Sequence, residues 1–298
     1  MRTRTITGIF APIPTPFVDG GISYDHLAEN IAKWDKTGLA GLVVMGSNGE
    51  AAYLDEDEKV EMWAFTRKHL SPEKVLIAGT GQESTRATIR LTKKAAQAGA
   101  QAALVLSPNY FKANMTPSAL ERFYMDVADE SPIPIFIYNM PGNTGINLSS
   151  SLVVKLSSHP NIVGVKDSSG NIVQISETIK GVPEDFSVFA GSASFLLPAT
   201  VMGAKGGTLA TANVVPDLCV EIFELALAGK IGEAREIQMS VLELNALVTA
   251  KHGVAGLKAA LDMVGYFGGE PRKPMLPASE EAKAEIRKVL EKLGRVVR

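Results

Sequence analysis

Asn161-Ile162-Val163-Gly164-Val165-Lys166-Asp167-Ser168-Ser169-Gly170 is the stretch on which the reading of this chain turns. Its first half is apolar and rich in β-branched residues, which predicts a buried strand over 162–166. The polar, glycine-terminated second half marks the loop that follows. A lysine closing such a strand projects from the mouth of a core, where an ammonium is poorly solvated. Desolvation disfavours the charged form, and a neutral amine can attack a ketone to give a Schiff base. Lysine is rarely fully buried. The competing reading of Lys166 is therefore a solvated side chain, and the rest of the chain has to decide between the two.

Outward from this strand the chain repeats one unit: a short apolar strand, a loop and an amphipathic helix. The other strands are expected at Gly8–Pro12, Gly41–Met45, Val75–Ala78, Ala102–Leu106, Ile133–Tyr138, Ser187–Ala190 and Gly207–Ala210. Helical patterns fall between them, among them Tyr24–Lys36, Asp55–His69, Ser84–Ala98, Pro117–Asp129 and Leu148–Ser157. Asp55 and Glu58 have the spacing of a capping box. The pairs Gly99-Ala100 and Gly203-Ala204 suit helix ends that lead into strands. The strands are continuous apolar runs, as parallel strands covered on both faces are. Eight such units in about 225 residues predict an α/β fold, a (β/α)8 TIM barrel, rather than an open doubly wound sheet. Beyond about residue 216 the strands stop, and segments 217–228, 230–249, 256–264 and 279–293 read as helices. Residues 1–228 are taken as the barrel with the active site and 229–298 as a C-terminal helical region, with no low-complexity linker between them.

Composition narrows the function classes. The chain has 298 residues, 46% of them hydrophobic, with 30 Lys+Arg against 32 Asp+Glu and a formal charge of -2. That balance carries no electrostatic footprint for nucleic acid. The single cysteine, Cys219, excludes an intrachain disulfide and a cysteine-based zinc cluster. It lies in an apolar helical pattern and reads as a packed thiol. No apolar run is long enough to span a bilayer. The first strand starts too near Met1 to leave room for a targeting peptide, so a cytoplasmic protein is expected. His26, His69, His159 and His252 show no metal-ligand spacing. No metal is expected, and Asp167 is assigned an orienting or loop-capping role.

In a barrel of this kind the active site lies at the C-terminal ends of the strands. The polar residues there are Ser47-Asn48 after the second strand, Pro108-Asn109-Tyr110 after the fourth, Tyr138-Asn139 at the fifth and Lys166 and Ser168 at the sixth. Gly191-Ser192 follows the seventh and Thr211–Asn213 the eighth. A lysine and two tyrosines at three strand ends outline an amine nucleophile served by phenolic proton carriers. At pH 7 an unperturbed lysine is neutral in only about one molecule in 2,500. A pKa lowered by burial to roughly 7–8 makes the amine available. The tight Gly46–Gly49 turn offers backbone N–H groups to a carboxylate without an arginine.

Gly46-Ser47-Asn48-Gly49-Glu50, Tyr138-Asn139-Met140-Pro141-Gly142-Asn143-Thr144-Gly145 and Gly164-Val165-Lys166-Asp167 together resemble the dihydrodipicolinate synthase/N-acetylneuraminate lyase family. The resemblance runs from about Gly8 to Pro274. It implies a class I lyase on a (β/α)8 barrel that needs no cofactor beyond a covalent lysine Schiff base with pyruvate. On that resemblance Lys166 is the Schiff-base lysine and Tyr138 the phenolic acid/base. Ser47 and Asn48 hold the pyruvate carboxylate, Ser47 also relaying protons, and Tyr110 is a relay tyrosine lent across a subunit interface. Gly207 and Thr208 line the methyl side of pyruvate, and Ser168 and Gly191 complete the substrate-binding set. The implied partners are a keto acid and an aldehyde, and the implied assembly is a homotetramer, a dimer of dimers.

One position departs from the synthase pattern. Where the synthase carries an arginine for its second substrate, this chain has Asn143, which forfeits a bidentate charged contact. Ser47-Asn48, Asn143-Thr144-Gly145, Gly79–Thr85 and Gly191-Ser192-Ala193 instead resemble the 4-hydroxy-2-oxoglutarate aldolases, whose products are pyruvate and glyoxylate. The rival substrates belong to dihydrodipicolinate synthase, N-acetylneuraminate lyase and 2-keto-3-deoxy sugar-acid aldolases. A non-catalytic keto-acid-binding paralogue is the rival of a different class. Phosphate-loop, dinucleotide and nucleophile-elbow motifs are missing.

Overall fold

Eight parallel strands close on themselves in the computed structural model, which describes residues 5–297. They are β1 (Gly8–Pro12), β2 (Gly41–Val44), β3 (Val75–Gly79), β4 (Ala102–Leu106), β5 (Ile135–Asn139), β6 (Ile162–Asp167), β7 (Ser187–Ala190) and β8 (Gly206–Thr208). Each pairs with the next in sequence, and β8 returns to β1. This is the expected (β/α)8 barrel. The apolar runs divide between two cores with the two-residue period of a strand. Phe10, Val43, Ile77, Leu104, Phe136 and Phe189 fill the barrel interior. Ile9, Ala11, Leu42, Val44, Val105, Ile137 and Val165 face the helical layer. Burying each large side chain contributes roughly 1.5–3 kcal/mol, so both faces of every strand are held.

Several strand boundaries differ from expectation, most by one residue, and three of them for evident local reasons. β2 stops at Val44 because Met45 has a left-handed backbone, φ 65°. β5 begins at Ile135, past Pro134, which has no N–H to give to a ladder. β8 ends at Thr208, and Ala210–Asn213 winds into a 3-10 turn. A register shift between Ile135 and Phe136 sets Phe136 opposite Gly164 and, two residues on, Tyr138 opposite Lys166. Gly164 is required there, since a Cβ would lie 2.4 Å from the Phe136 ring and 2.6 Å from the Ser187 carbonyl.

The helices follow the expected pattern: α1 (Tyr24–Asp35), α2 (Glu56–His69), α3 (Thr85–Gln97), α4 (Pro117–Glu130), α5 (Ser150–Leu156), α6 (Ile172–Gly181), α7 (Leu196–Val201) and α8 (Pro216–Leu227). The capping box of α2 forms in both directions between Asp55 and Glu58. Cys219 is fully buried in α8, and burial pushes its thiol well above the ordinary range. The C-terminal helices are α9 (Ile231–Ala246), α10 (Gly253–Met263) and α11 (Glu280–Lys292), with a π turn over Leu247–Lys251 between the first two. α10 starts three residues earlier than the periodicity suggests. A small hairpin, Phe17–Val18 with Gly21–Ile22, follows β1; strands this short leave no trace in the apolar pattern. Among the described residues no helix is long and apolar enough to cross a membrane.

Candidate active site

The register of β5 and β6 builds the centre of the site. Tyr138 and Lys166 are paired residues on neighbouring strands, and both are buried at the C-terminal mouth of the barrel. Lys166 Nζ lies 4.1 Å from the centroid of the Tyr138 ring. Ser47 Oγ, delivered by the turn after β2, stands 3.5 Å from the Tyr138 hydroxyl. Burial alone raises the Tyr138 phenol. The Lys166 charge, with polar contacts from Ser47, Lys166 and Ser168, outweighs it and holds the phenol below its usual value. Tyr138 is thus readied to give up its proton beside the Lys166 amine, the group able to attack a ketone.

A cavity of about 1060 Å³ opens over this pair. It is lined by Ser47, Asn48, Tyr138, Asn143, Lys166, Ser168, Gly191 and Thr208. Two of the expected residues stand apart. Gly207 lies in β8 but does not line the cavity. Tyr110 is 78% exposed, stacked edge-on against Phe111, and its ring does not reach the cavity of its own chain. The loop that presents it is fixed by Glu83, whose carboxylate accepts the Asn109 and Tyr110 N–H groups at 3.0 and 2.9 Å. A shallower depression between α3 and α4, with Arg86, Asp126 and Asp129, holds none of these residues.

The turn after β2 is a 3-10 turn, Ser47–Gly49. Its later N–H groups are spent internally, Gly49 on Gly46 and Glu50 on Ser47. The first N–H groups of such a turn have no internal acceptor, and here they belong to Ser47 and Asn48. The turn is bracketed by two non-glycine residues in left-handed conformations, Met45 (φ 65°) and Glu50 (φ 57°). Such strain costs on the order of 1–3 kcal/mol each and clusters at functional sites.

After β6, Asp167 accepts from Ser169 N and Oγ at 2.8 and 2.5 Å, and from Asn139 and Gln174 at 3.0 and 3.1 Å. This carboxylate is fully engaged in shaping the loop that holds Lys166. No group of three metal-ligating side chains occurs among the described residues. Ser168 Oγ is buried and makes no well-formed hydrogen bond there. It has room only because residue 191 is glycine: a Cβ would fall 1.9 Å from it.

Several residues at this site carried no role in the sequence reading. Glu50 was noted only as the end of a motif, yet it lines the cavity and is paired with fully buried Lys258 of α10 at 2.6 Å. Lys258 is a lone charge on an apolar helical stretch, a signal that was there to be read. Lys59 also lines the cavity; its ammonium makes no hydrogen bond or ion pair among the described residues, and burial pushes it down. Asn245 of α9 gathers Ser192 and Thr211 through its Oδ1, at 3.2 and 3.0 Å.

A closed (β/α)8 barrel with a buried lysine and a charge-coupled tyrosine at its mouth defines a class I, Schiff-base lyase. Comparison with known proteins gives the same class and makes it specific. The model of the dihydrodipicolinate synthetase family matches residues 5–293, and the chain belongs to that family of pyruvate-dependent lyases. It is 39% identical to a probable 4-hydroxy-2-oxoglutarate aldolase, mitochondrial, of Emericella nidulans, over 94% of this chain and 92% of the other. It is 36% identical to a 4-hydroxy-tetrahydrodipicolinate synthase of Archaeoglobus fulgidus, over 96% and 98%. It is 37% identical to an L-threo-3-deoxy-hexylosonate aldolase of Hypocrea jecorina, over 90% of each. Among solved structures, dihydrodipicolinate synthase from Aquifex aeolicus superposes with a TM-score of 0.93 at 33% identity, covering 98% and 99% of the two chains. The Acinetobacter baumannii synthase complexed with pyruvate gives 0.94 at 30% identity, covering 98% and 100%. Enzymes of this family work through a lysine Schiff base with pyruvate and need no separate cofactor.

Proposed function

We propose that this protein is a 4-hydroxy-2-oxoglutarate aldolase, releasing pyruvate and glyoxylate, with Lys166 as the Schiff-base nucleophile. The observation that carries the lysine assignment is the buried Lys166–Tyr138 pair with Ser47 beside it. The Lys166 amine adds to the C2 ketone, and loss of water from the carbinolamine gives the imine. Tyr138 then takes the proton of the C4 hydroxyl as the C3–C4 bond breaks. Glyoxylate leaves, the enamine is protonated at C3, and hydrolysis of the imine frees pyruvate. Ser47 and the Tyr110 hydroxyl of a partner subunit form the proton chain behind Tyr138. Asn48 and the turn's N–H groups receive the keto-acid carboxylate, while Thr208, without the Gly207 expected beside it, bounds the methyl side.

Three features support the second half of the substrate. Asn143 is neutral and lines the cavity where the synthase pattern has an arginine. Ser168 Oγ is buried near Lys166 without a well-formed hydrogen bond, and Lys59 adds a second ammonium to the cavity wall. That combination suits a short substrate with a carboxylate at each end. The identity to the Emericella aldolase agrees with it. The 37% identity to a deoxy-hexylosonate aldolase keeps sugar acids as the second reading. Exposed Tyr110 and Phe111, on the loop after β4, support at least a dimer, and we propose a homotetramer.

Borohydride reduction in the presence of pyruvate tests the chemistry. A covalent adduct that disappears in Lys166→Ala supports it, and no adduct on the native protein removes it, leaving the keto-acid-binding paralogue. Pyruvate release from 4-hydroxy-2-oxoglutarate, N-acetylneuraminate and 2-keto-3-deoxygluconate, measured side by side, tests the substrate.

A further inference from the structure

We propose that Glu50 and Lys258 are positioning residues for the Ser47–Asn48 turn, so that α10 of the C-terminal region sets how tightly the barrel holds the keto-acid carboxylate. This rests on the reading of the site given above. Neither side chain is exposed, and Lys258 Nζ lies 2.6 Å from Glu50 Oε1. The other carboxylate oxygen, Oε2, accepts the Arg272 backbone N–H at 2.7 Å. Lys258 donates in turn to the Glu270 carbonyl at 2.9 Å and sits over the Phe17 ring at 4.6 Å. The Arg272 guanidinium covers the same ring at 4.4 Å and clasps Glu58 of α2 with two bonds of 2.7 Å. Glu50 is therefore held from the C-terminal side at both oxygens.

The backbone shows what is being held. Glu50 closes the turn by donating its N–H to Ser47 at 3.1 Å, and it does so in a left-handed conformation that a glutamate adopts only under constraint. The ion pair and the Arg272 N–H are that constraint. Released, residue 50 relaxes toward ordinary φ, and the first N–H groups of the turn lose their common direction. A purely stabilising pair would have no reason to end on the one residue that shapes the carboxylate-binding turn. A buried pair is, besides, a poor source of net stability compared with apolar packing.

The test compares pyruvate with its methyl ester, the same ketone with one added methyl group in place of the carboxylate charge. Reductive trapping with cyanoborohydride on the full-length protein gives the half-saturating concentration of each. In Lys258→Met, and in Glu50→Asp, which keeps the charge but withdraws it by one methylene, the half-saturating pyruvate concentration is expected to rise at least tenfold. That of the methyl ester moves less than twofold. Equal weakening of both ketones, or unchanged pyruvate trapping in the folded Glu50→Asp variant, overturns the positioning role. If the native protein traps pyruvate on no lysine, the reading of the site itself has failed, which is a different result from either.

Discussion

Tyr138 and Lys166 face each other across two parallel strands, with the lysine nitrogen 4.1 Å from the centre of the tyrosine ring. Two opposing forces meet in that phenol. Burial pushes its pKa up, and the lysine charge with its polar neighbours pulls it below the ordinary value near 10. The folded protein therefore gives up this proton more readily than the unfolded chain does. The pair's contribution to stability is complete above the unfolded value near 10 and is lost as pH falls through the depressed one. Ultraviolet titration of the native protein should show one tyrosine ionising early, a step that vanishes in Tyr138→Phe. In Lys166→Met burial is opposed only by the Ser47 and Ser168 contacts, and the same tyrosine should ionise later than it does in the native protein. An early step that persists without the lysine charge would contradict this coupling.

Gly191 gives a steric prediction. A methyl group there meets Ser168 Oγ at 1.9 Å and the Asp167 carbonyl at 2.7 Å. Both neighbours belong to the loop that follows Lys166. Gly191→Ala should lower kcat/KM on the order of 10²-fold, as displacements near 1 Å do at reacting centres. Steady-state kinetics decide it, with circular dichroism to show that the barrel remains folded. Activity within threefold of the native protein would mean that the loop yields freely.

Asn143 governs the choice of second substrate in the proposed reading. Asn143→Arg introduces a planar cation that grips carboxylates bidentately. The ratio of kcat/KM for 4-hydroxy-2-oxoglutarate to that for 2-keto-3-deoxygluconate should change by about tenfold or more, a cost typical of one charged hydrogen-bonded contact. An unchanged ratio would remove Asn143 from the specificity argument.

In the proposed reading Tyr110 ties activity to assembly. Its ring lies outside the cavity of its own chain, on a loop fixed by Glu83. Glu83→Ala should loosen that loop and weaken association, and Tyr110→Phe should cost activity without changing the assembly. Sedimentation velocity run alongside the pyruvate-release assay separates the two effects. A fully active native monomer would refute the shared site.

Much of this was legible in the sequence because strands covered on both faces are written as unbroken apolar runs. β1, β4 and β7 lie at the predicted residues for that reason. The ends of β2 and β5 were missed where backbone conformation, not hydrophobicity, sets the limit: Met45 turns left-handed, and Pro134 cannot donate. The register shift at Ile135/Phe136 leaves no mark in composition, yet it places Tyr138 opposite Lys166. Glu50 was visible as a motif letter. Its pairing with Lys258 was not, because contacts between the turn after β2 and α10 arise only when the chain closes. Tyr110 was legible as a strand-end residue, its relay role came from resemblance, and its outward position is nothing that spacing alone could have foretold.

The aromatic plug beneath the site sets an order of events. Phe10, Phe136 and Phe189 close the barrel below Lys166, the first and last 5.5 Å apart and the last two 5.1 Å apart. The barrel is thus a blind well with one opening. In the proposed reading, the half bonded to Lys166 occupies the bottom and the aldehyde half sits above it. Cleavage must therefore release its fragments in sequence, the upper one first. The reverse condensation must load them in the opposite order, so the aldehyde should inhibit by entering an empty well ahead of its partner.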